Sequence, residues 1–209
     1  MNAQQRKRGF SLVELLVVMG IVAMLISLLM PALTAARRQA LSTKCKANLR
    51  SNYMFMLMYA NENRGWFAPP GLGTNVPMAS RWPVRVFKPP TPSPPTLLCP
   101  ADAEPAEQHS YVLNSHVLEK AIRFGTRPPA GRSVSDIILM GEKKSDQPDY
   151  YMELERGQPS EFNRLVELYR HGFYLGSNCL MLDGSVSAKS PKQVAGGFDP
   201  WDVPSTPSP

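Results

Sequence analysis

Hydrophobic and polar positions divide the chain into three regimes. From Phe10 to Leu33 almost every residue is apolar, with Ser11, Glu14 and Ser27 as the polar exceptions. A helix crosses a bilayer with about 20 apolar residues, so this run is long enough to span one. After Leu33 the apolar positions thin into a stripe: Leu41, Cys45, Leu49, Tyr53, Met56 or Leu57, and Ala60 recur every three or four residues. Arg37, Arg38, Lys44 and Arg50 fall mostly away from that stripe. From Tyr53 to Tyr59 nearly every position is apolar, which predicts fuller enclosure there. Asn61 to Gly65 reads as the helix stop, with Gly65 as cap. One helix from Phe10 to Asn63 is about 80 Å long at 1.5 Å per residue. Pro31 is its predicted kink.

Beyond Gly65 the pattern breaks up. Eleven of the 21 prolines lie between Pro69 and Pro105. Such sequence cannot feed a central strand and predicts extended chain wrapping over the helix end, anchored by Trp66, Trp82 and Phe87. Short strands are predicted at Ser110–Val117, Asp136–Glu142 and Tyr150–Leu154. Over Asn178–Ala188 two apolar-rich runs flank Asp183-Gly184, a dipeptide suited to a two-residue type I′ hairpin turn. Ser160–Arg170 is a candidate short helix, and the end of the chain reads as a disordered tail. The fold class is α+β: a long N-terminal helix packed on a small antiparallel β-sheet domain. The expected divisions are a leader at 1–9, a transmembrane half-helix at 10–33 and an amphipathic half-helix at 34–64. A globular domain follows at 65–198, with its Pro-rich segment at 69–105, and then the tail at 199–209.

Charge sharpens this picture. The net charge is +6, but it is concentrated near the N-terminus. Arg6, Lys7 and Arg8 precede the apolar run, and residues 34–64 hold six basic residues against Glu62 alone. The remainder is balanced to within one charge, so the basic pI does not point to nucleic acid. The basic leader favours a cytoplasmic N-terminus. Glu14 stands out, because a carboxylate in a span costs about 2.5–3.5 kcal/mol at the helix centre and less near its end. A cationic partner would offset that cost.

The residues RKRGFSLVELLVVMGIVAMLISLLMP resemble the N-terminus of type IV prepilins and type II secretion pseudopilins. The resemblance implies cleavage after Gly9, N-methylation of the new Phe10 amine, and an assembly role for Glu14, the fifth mature residue. Pro31 falls where many pilins carry a helix-bending proline. Gly9 has no side chain to obstruct a membrane protease. The freed Phe10 amine is the natural partner of Glu14, within one subunit or from a neighbour. A secretory signal peptide would have a shorter apolar core and a small-residue cleavage site after it. The later chain is similar to a prepilin-like subgroup with a closing His…Asp-Gly signature. That likeness rests on Cys45-x-x-Asn-Leu-Arg, Leu98-Cys99-Pro-Ala-Asp102, Ser110-Tyr111 with Asn114, Arg170-His171, Asn178 and Asp183-Gly184. Eleven residues separate His171 from Asp183, where the subgroup usually has nine.

Three cysteines, Cys45, Cys99 and Cys179, leave at least one unpaired in an oxidising compartment. Cys99–Cys179 is the first disulfide candidate, since Cys45 lies on the helical stripe. Zinc-type cysteine spacing is missing. His171, Asp183, Glu142 and His116 are the residues that could form a metal or catalytic cluster. A lone Asp-Gly reads first as a turn, and a lone His as a hydrogen-bonded structural residue. The segment 177–187 offers one carboxylate, Asp183, too few for the six to eight oxygens of calcium. No metal and no cofactor are therefore expected, and the chain reads as a non-enzyme.

The resulting expectation is a structural subunit of a type II secretion pseudopilus or type IV pilus. Its implied partners are a prepilin peptidase/methyltransferase, other pilin or pseudopilin subunits, an inner-membrane assembly platform and the lipid bilayer, without nucleic acid. The implied location is the bacterial inner membrane, single-pass, with the C-terminal domain outside the cytoplasm, and then an extracytoplasmic filament. A second reading makes residues 65–209 a binding module for a polysaccharide or secreted substrate, with Trp66, Trp82 or Trp201 exposed in a groove. A third, a tethered enzyme, requires His171, Glu142 and Asp183 to converge.

Overall fold

In the computed structural model the described residues are 11–69, 81–87, 94–119, 122–125, 132–152 and 164–189. The leader, Phe10, parts of the Pro-rich segment and the tail lie outside them. Helix α1 (Leu12–Glu62) runs unbroken through Pro31. It opens with a capping box: Ser11 Oγ accepts the Glu14 N–H (3.2 Å), and Glu14 Oε2 accepts the Ser11 N–H (2.9 Å). It closes where Gly65, at φ +86°, donates its N–H to the Ala60 carbonyl at 2.8 Å.

The chain divides into two compact units, 1–39 and 40–209. In the first, every described residue is exposed, including the large apolar side chains from Leu12 to Leu33. Among the described residues, α1 is the one helix long and apolar enough to cross a membrane.

In the second unit, the α1 segment from Ala40 to Glu62 lays Ser42, Cys45, Leu49, Asn52, Tyr53, Met56, Tyr59 and Ala60 into the core. The enclosure expected around Tyr53–Tyr59 is one-sided, because Met54, Phe55 and Met58 are exposed. The sheet has five strands in the order β3-β1-β2-β4-β5: β1 (Tyr111–Asn114), β2 (Ile138–Glu142), β3 (Tyr151–Met152), β4 (Ser177–Met181) and β5 (Val186–Lys189). Four strands form an antiparallel set, while the two-residue β3 pairs parallel to β1 at the edge. Together, α1 and this sheet make the α+β arrangement expected of a pilin-like chain.

Side chains alternate across the sheet. Tyr111, Leu113, Leu139, Leu180 and Leu182 join Leu49 and Met56 on the helix side. Val112, Ile138, Cys179 and Met181 face away and are covered by Leu165 and Val166. Strand β2 breaks this alternation with a register irregularity between Ile138 and Met140. Leu139 and Met140 therefore both reach the helix-side core. The phase shift puts Glu142, two residues after Met140, on that same side.

Several predicted elements take other forms. Strand β1 stops at Asn114, short of Val117, and the chain turns into helix α3 (Ser115–Glu119). Asn114 causes the stop: its Oδ1 accepts the His116 N–H (3.1 Å), and its Nδ2 donates to the Ile138 carbonyl (2.8 Å). The β4–β5 connection is a three-residue loop, Leu182 to Gly184, in place of a two-residue type I′ turn. Gly184 N–H bonds the Met181 carbonyl (3.0 Å), Met181 N–H bonds the Ser185 carbonyl (2.8 Å), and Gly184 alone has positive φ, +85°. That is a type I turn closed by a glycine bulge. Within Ser160–Arg170, only Arg164–Leu165 is helical among the described residues, and Val166 bridges to Lys143. The Pro-rich region contributes helix α2 (Trp82–Phe87), with Pro83 in its first turn, where a missing N–H costs nothing.

Candidate functional site

The sequence singles out two places, the start of α1 and the residues around His171. Gly9 and Phe10 lie outside the described residues. Glu14 sits on the first turn of α1, held by its exchange of hydrogen bonds with Ser11. This local role was legible in the Ser-x-x-Glu spacing but is masked there by the more conspicuous question of a charge in an apolar run.

The second place is buried where the Ala40–Glu62 segment meets the sheet. His171 Nε2 lies 2.8 Å from Glu142 Oε1, and both side chains are almost wholly buried. The Cys45 thiol points at the same carboxylate oxygen, at 2.6 Å, and lies 3.0 Å from the Tyr111 hydroxyl. Cys99 Sγ lies 3.8 Å from His171 Nε2. The other carboxylate oxygen, Glu142 Oε2, accepts the Asn178 backbone N–H at 2.9 Å. The ligating atoms of Cys45, Cys99, Glu142 and His171 all fall within 4.8 Å of one another.

Electrostatics bind these groups together. Burial disfavours charge on His171, but Cys99 and Glu142 outweigh it and raise the imidazole to about 9. A hydrogen bond from Cys45 holds the Cys99 thiol down at about 7 against burial, helped by His171 and the Ala101 backbone N–H. Burial, then Cys99 and Glu142, push the Cys45 thiol far up. Without a further ligand, the group is a buried Glu142–His171 pair flanked by two thiols, Cys45 on the carboxylate and Cys99 beside the imidazole.

Beside this cluster, Arg170 pairs with Asp102 at 2.9 Å, both nearly buried. Arg170 also donates to Ser145 Oγ (2.8 Å) and to the Lys143 carbonyl. Lys143 is fully buried too and donates to the Ala106 and Gln147 carbonyls. These contacts fix the loops that carry Cys99 and His171.

The expected residues are thus only partly assembled. His171 and Glu142 meet, but Asp183 is exposed in the hairpin loop, where its Oδ1 accepts the Ser185 N–H at 2.8 Å. Asp183 is there a turn residue. The tethered-enzyme arrangement of His171, Glu142 and Asp183 is not formed. The expected Cys99–Cys179 disulfide is not formed either: all three cysteines are free. Alternation along β4 sends Cys179 to the outer cluster, whereas Cys99 is in the helix-side core. Trp82 is fully buried and donates Nε1–H to the Tyr150 carbonyl (3.0 Å), and Trp66 is half-buried under the Arg123 guanidinium. Neither is an open stacking platform, and Trp201 lies outside the described residues.

Comparison with known proteins bears on the first place. Residues 4–30 match the family model for the prokaryotic N-terminal methylation motif. The chain carries a prepilin-type N-terminus. Over 59 residues it is 41% identical to the type IV wide pilus major component PilA4 of Thermus thermophilus, covering 28% of this chain and 45% of that protein. The chain thus matches less than half the length of this curated relative. No solved structure is a significant match.

Cys45 and Cys99 are the residues of the buried cluster that the sequence placed elsewhere, Cys45 on the helical stripe and Cys99 as a disulfide candidate with Cys179. The four clustered residues span positions 45 to 171, so no short spacing announces them. A signal did exist. The residues behind the second likeness, among them Cys45, Cys99, Asp102, Tyr111, Arg170, His171 and Asn178, converge around this one buried place.

Proposed function

We propose that the protein is a pilin-like structural subunit of a type IV pilus or type II secretion pseudopilus. It is inserted in the inner membrane with its C-terminal domain outside the cytoplasm. A prepilin peptidase/methyltransferase cleaves after Gly9 and methylates the Phe10 amine, and the subunits then assemble on an inner-membrane platform. The observation that carries this reading is the methylation motif at residues 4–30 joined to an exposed apolar helix. The surface from Leu12 to Leu33 is apolar on all sides and needs lipid before assembly and neighbouring helices after it. In a filament, Glu14 exchanges its contact with Ser11 for a neighbour's Phe10 amine, and Pro31 supplies the bend. The relative's place in a type IV wide pilus favours the type IV pilus of the two.

Mass spectrometry of the mature N-terminus tests the reading. The expected product begins with methylated Phe10; a native chain that keeps its first nine residues would overturn it. Glu14→Ala should be cleaved normally yet fail to enter filaments, and normal incorporation would remove the assembly role. Gly9→Val should accumulate as precursor on an immunoblot.

A further inference from the structure

We propose that Cys45, Cys99, Glu142 and His171 form a structural zinc site that fastens the Ala40–Glu62 segment of α1 to the sheet. Tetrahedral zinc holds sulfur at about 2.3 Å and nitrogen or oxygen at about 2.0–2.2 Å, which sets ligand atoms roughly 3.3–3.8 Å apart. The cluster brackets those edges: 2.6 Å from Cys45 to Glu142, 2.8 Å from Glu142 to His171, 3.8 Å from His171 to Cys99, and all pairs within 4.8 Å. Shifts of about an ångström or less per atom would complete a tetrahedron around one ion.

The donor set selects the ion. Two thiolates and an imidazole suit zinc and are foreign to calcium or magnesium, which take oxygen ligands. Four protein ligands with every one buried leave no open position for water, the mark of a structural site. The surrounding groups are suited to the charge of a site holding two thiolates and a carboxylate. The Tyr111 hydroxyl is 3.0 Å from the Cys45 sulfur, the Ala101 backbone N–H hydrogen-bonds Cys99, and the Asn178 N–H fixes Glu142 Oε2, leaving Oε1 for the metal. Binding would release the remaining thiol protons and the imidazolium proton to solvent, and zinc would replace them as counter-charge.

The placement also has a mechanical meaning. Cys45 lies in α1, Cys99 in the loop before β1, Glu142 at the end of β2 and His171 in the loop before β4. One ion would tie the Ala40–Glu62 segment of α1 to three segments that backbone hydrogen bonds already link, through Ser110 N–H to the Leu97 carbonyl, Lys143 N–H to the Ser110 carbonyl and Glu167 N–H to the Glu142 carbonyl. This inference does not rest on the pilin reading and would survive its failure.

The test uses the full chain, purified from membranes in detergent without chelator. Metal analysis by mass spectrometry should find about one zinc per chain. Cobalt(II) added after zinc removal should give tetrahedral visible bands with a thiolate-to-cobalt charge-transfer band. Cys45→Ser, Cys99→Ser and His171→Gln should each bind zinc at least tenfold more weakly, while Cys179→Ala, outside the cluster, should retain it. A wild-type chain that is folded by circular dichroism but binds no zinc when zinc is supplied would overturn the site. So would a Cys45–Cys99 disulfide in the isolated protein, a cobalt spectrum without the charge-transfer band, or zinc retained at full affinity by the Cys45→Ser/Cys99→Ser double variant. The wild-type measurements decide the matter even where a variant does not fold.

Discussion

At the scale of single residues, buried polar groups set the character of the second unit. His109 is buried and stacked on Tyr150, with Nε2 2.9 Å from the Asp149 carbonyl. Burial, then the Lys143 cation, lowers it to about 4. The unfolded chain, with His near 6.5, binds more protons between those values, so stability falls as pH drops from about 6.5 to about 4. The full loss attributable to His109 is about 3 kcal/mol. Urea titrations across that window should show a shallower pH slope for His109→Gln than for the wild type. Asp102 is a second buried polar group, held by its ion pair with Arg170. Removing it as Asp102→Ala strands the buried Arg170 and should cost about 3–5 kcal/mol in the same assay. Adding Arg170→Met should recover much of that loss. His109, between Gln108 and Ser110, carries no mark of burial in the sequence, and Asp102 was marked only by the second likeness, which gave it no partner. Only pairing across 68 positions of chain gives Asp102 its partner.

At the scale of elements, periodicity served best where burial is one-sided. The stripe Cys45, Leu49, Tyr53, Met56 and Ala60 faces the core as its spacing predicts. It misled at Met54, Phe55 and Met58, where apolar residues meet no sheet and lie on the exposed side of α1. The β2 irregularity was invisible because Asp136–Glu142 is a near-continuous apolar run, with no alternation to betray a change of phase. Yet that irregularity aims Glu142 inward. The hairpin has its own constraint. A Cβ on Gly184 would lie 2.3 Å from the Tyr53 ring, and the residue already has positive φ. Tyr53 in turn donates its hydroxyl to the Leu182 carbonyl at 3.2 Å. Gly184→Ala should therefore destabilise by about 2–4 kcal/mol, from backbone strain and overpacking together. Thermal unfolding should show this, and the loss should be smaller in a Tyr53→Leu background, since the two changes share one contact.

At the scale of the whole molecule, the structure's one division falls inside the segment read from the sequence as the half-helix 34–64. The apolar run and the packed domain are separate compact units with their boundary at Gln39/Ala40, close to where the greasy pattern becomes a stripe. The full chain should stay with membranes through an alkaline carbonate wash, whereas a chain beginning at Ala40 should be released, as fractionation and immunoblotting would show. The capping exchange between Ser11 and Glu14 bears on how such a subunit waits. One oxygen of its carboxylate is occupied at home, by the Ser11 N–H, so in the proposed membrane-bound subunit the anion already holds one hydrogen bond. Under the proposed assembly, an incoming amine would have to displace that resident N–H, so pairing would be favoured only where a neighbour stands in the right register.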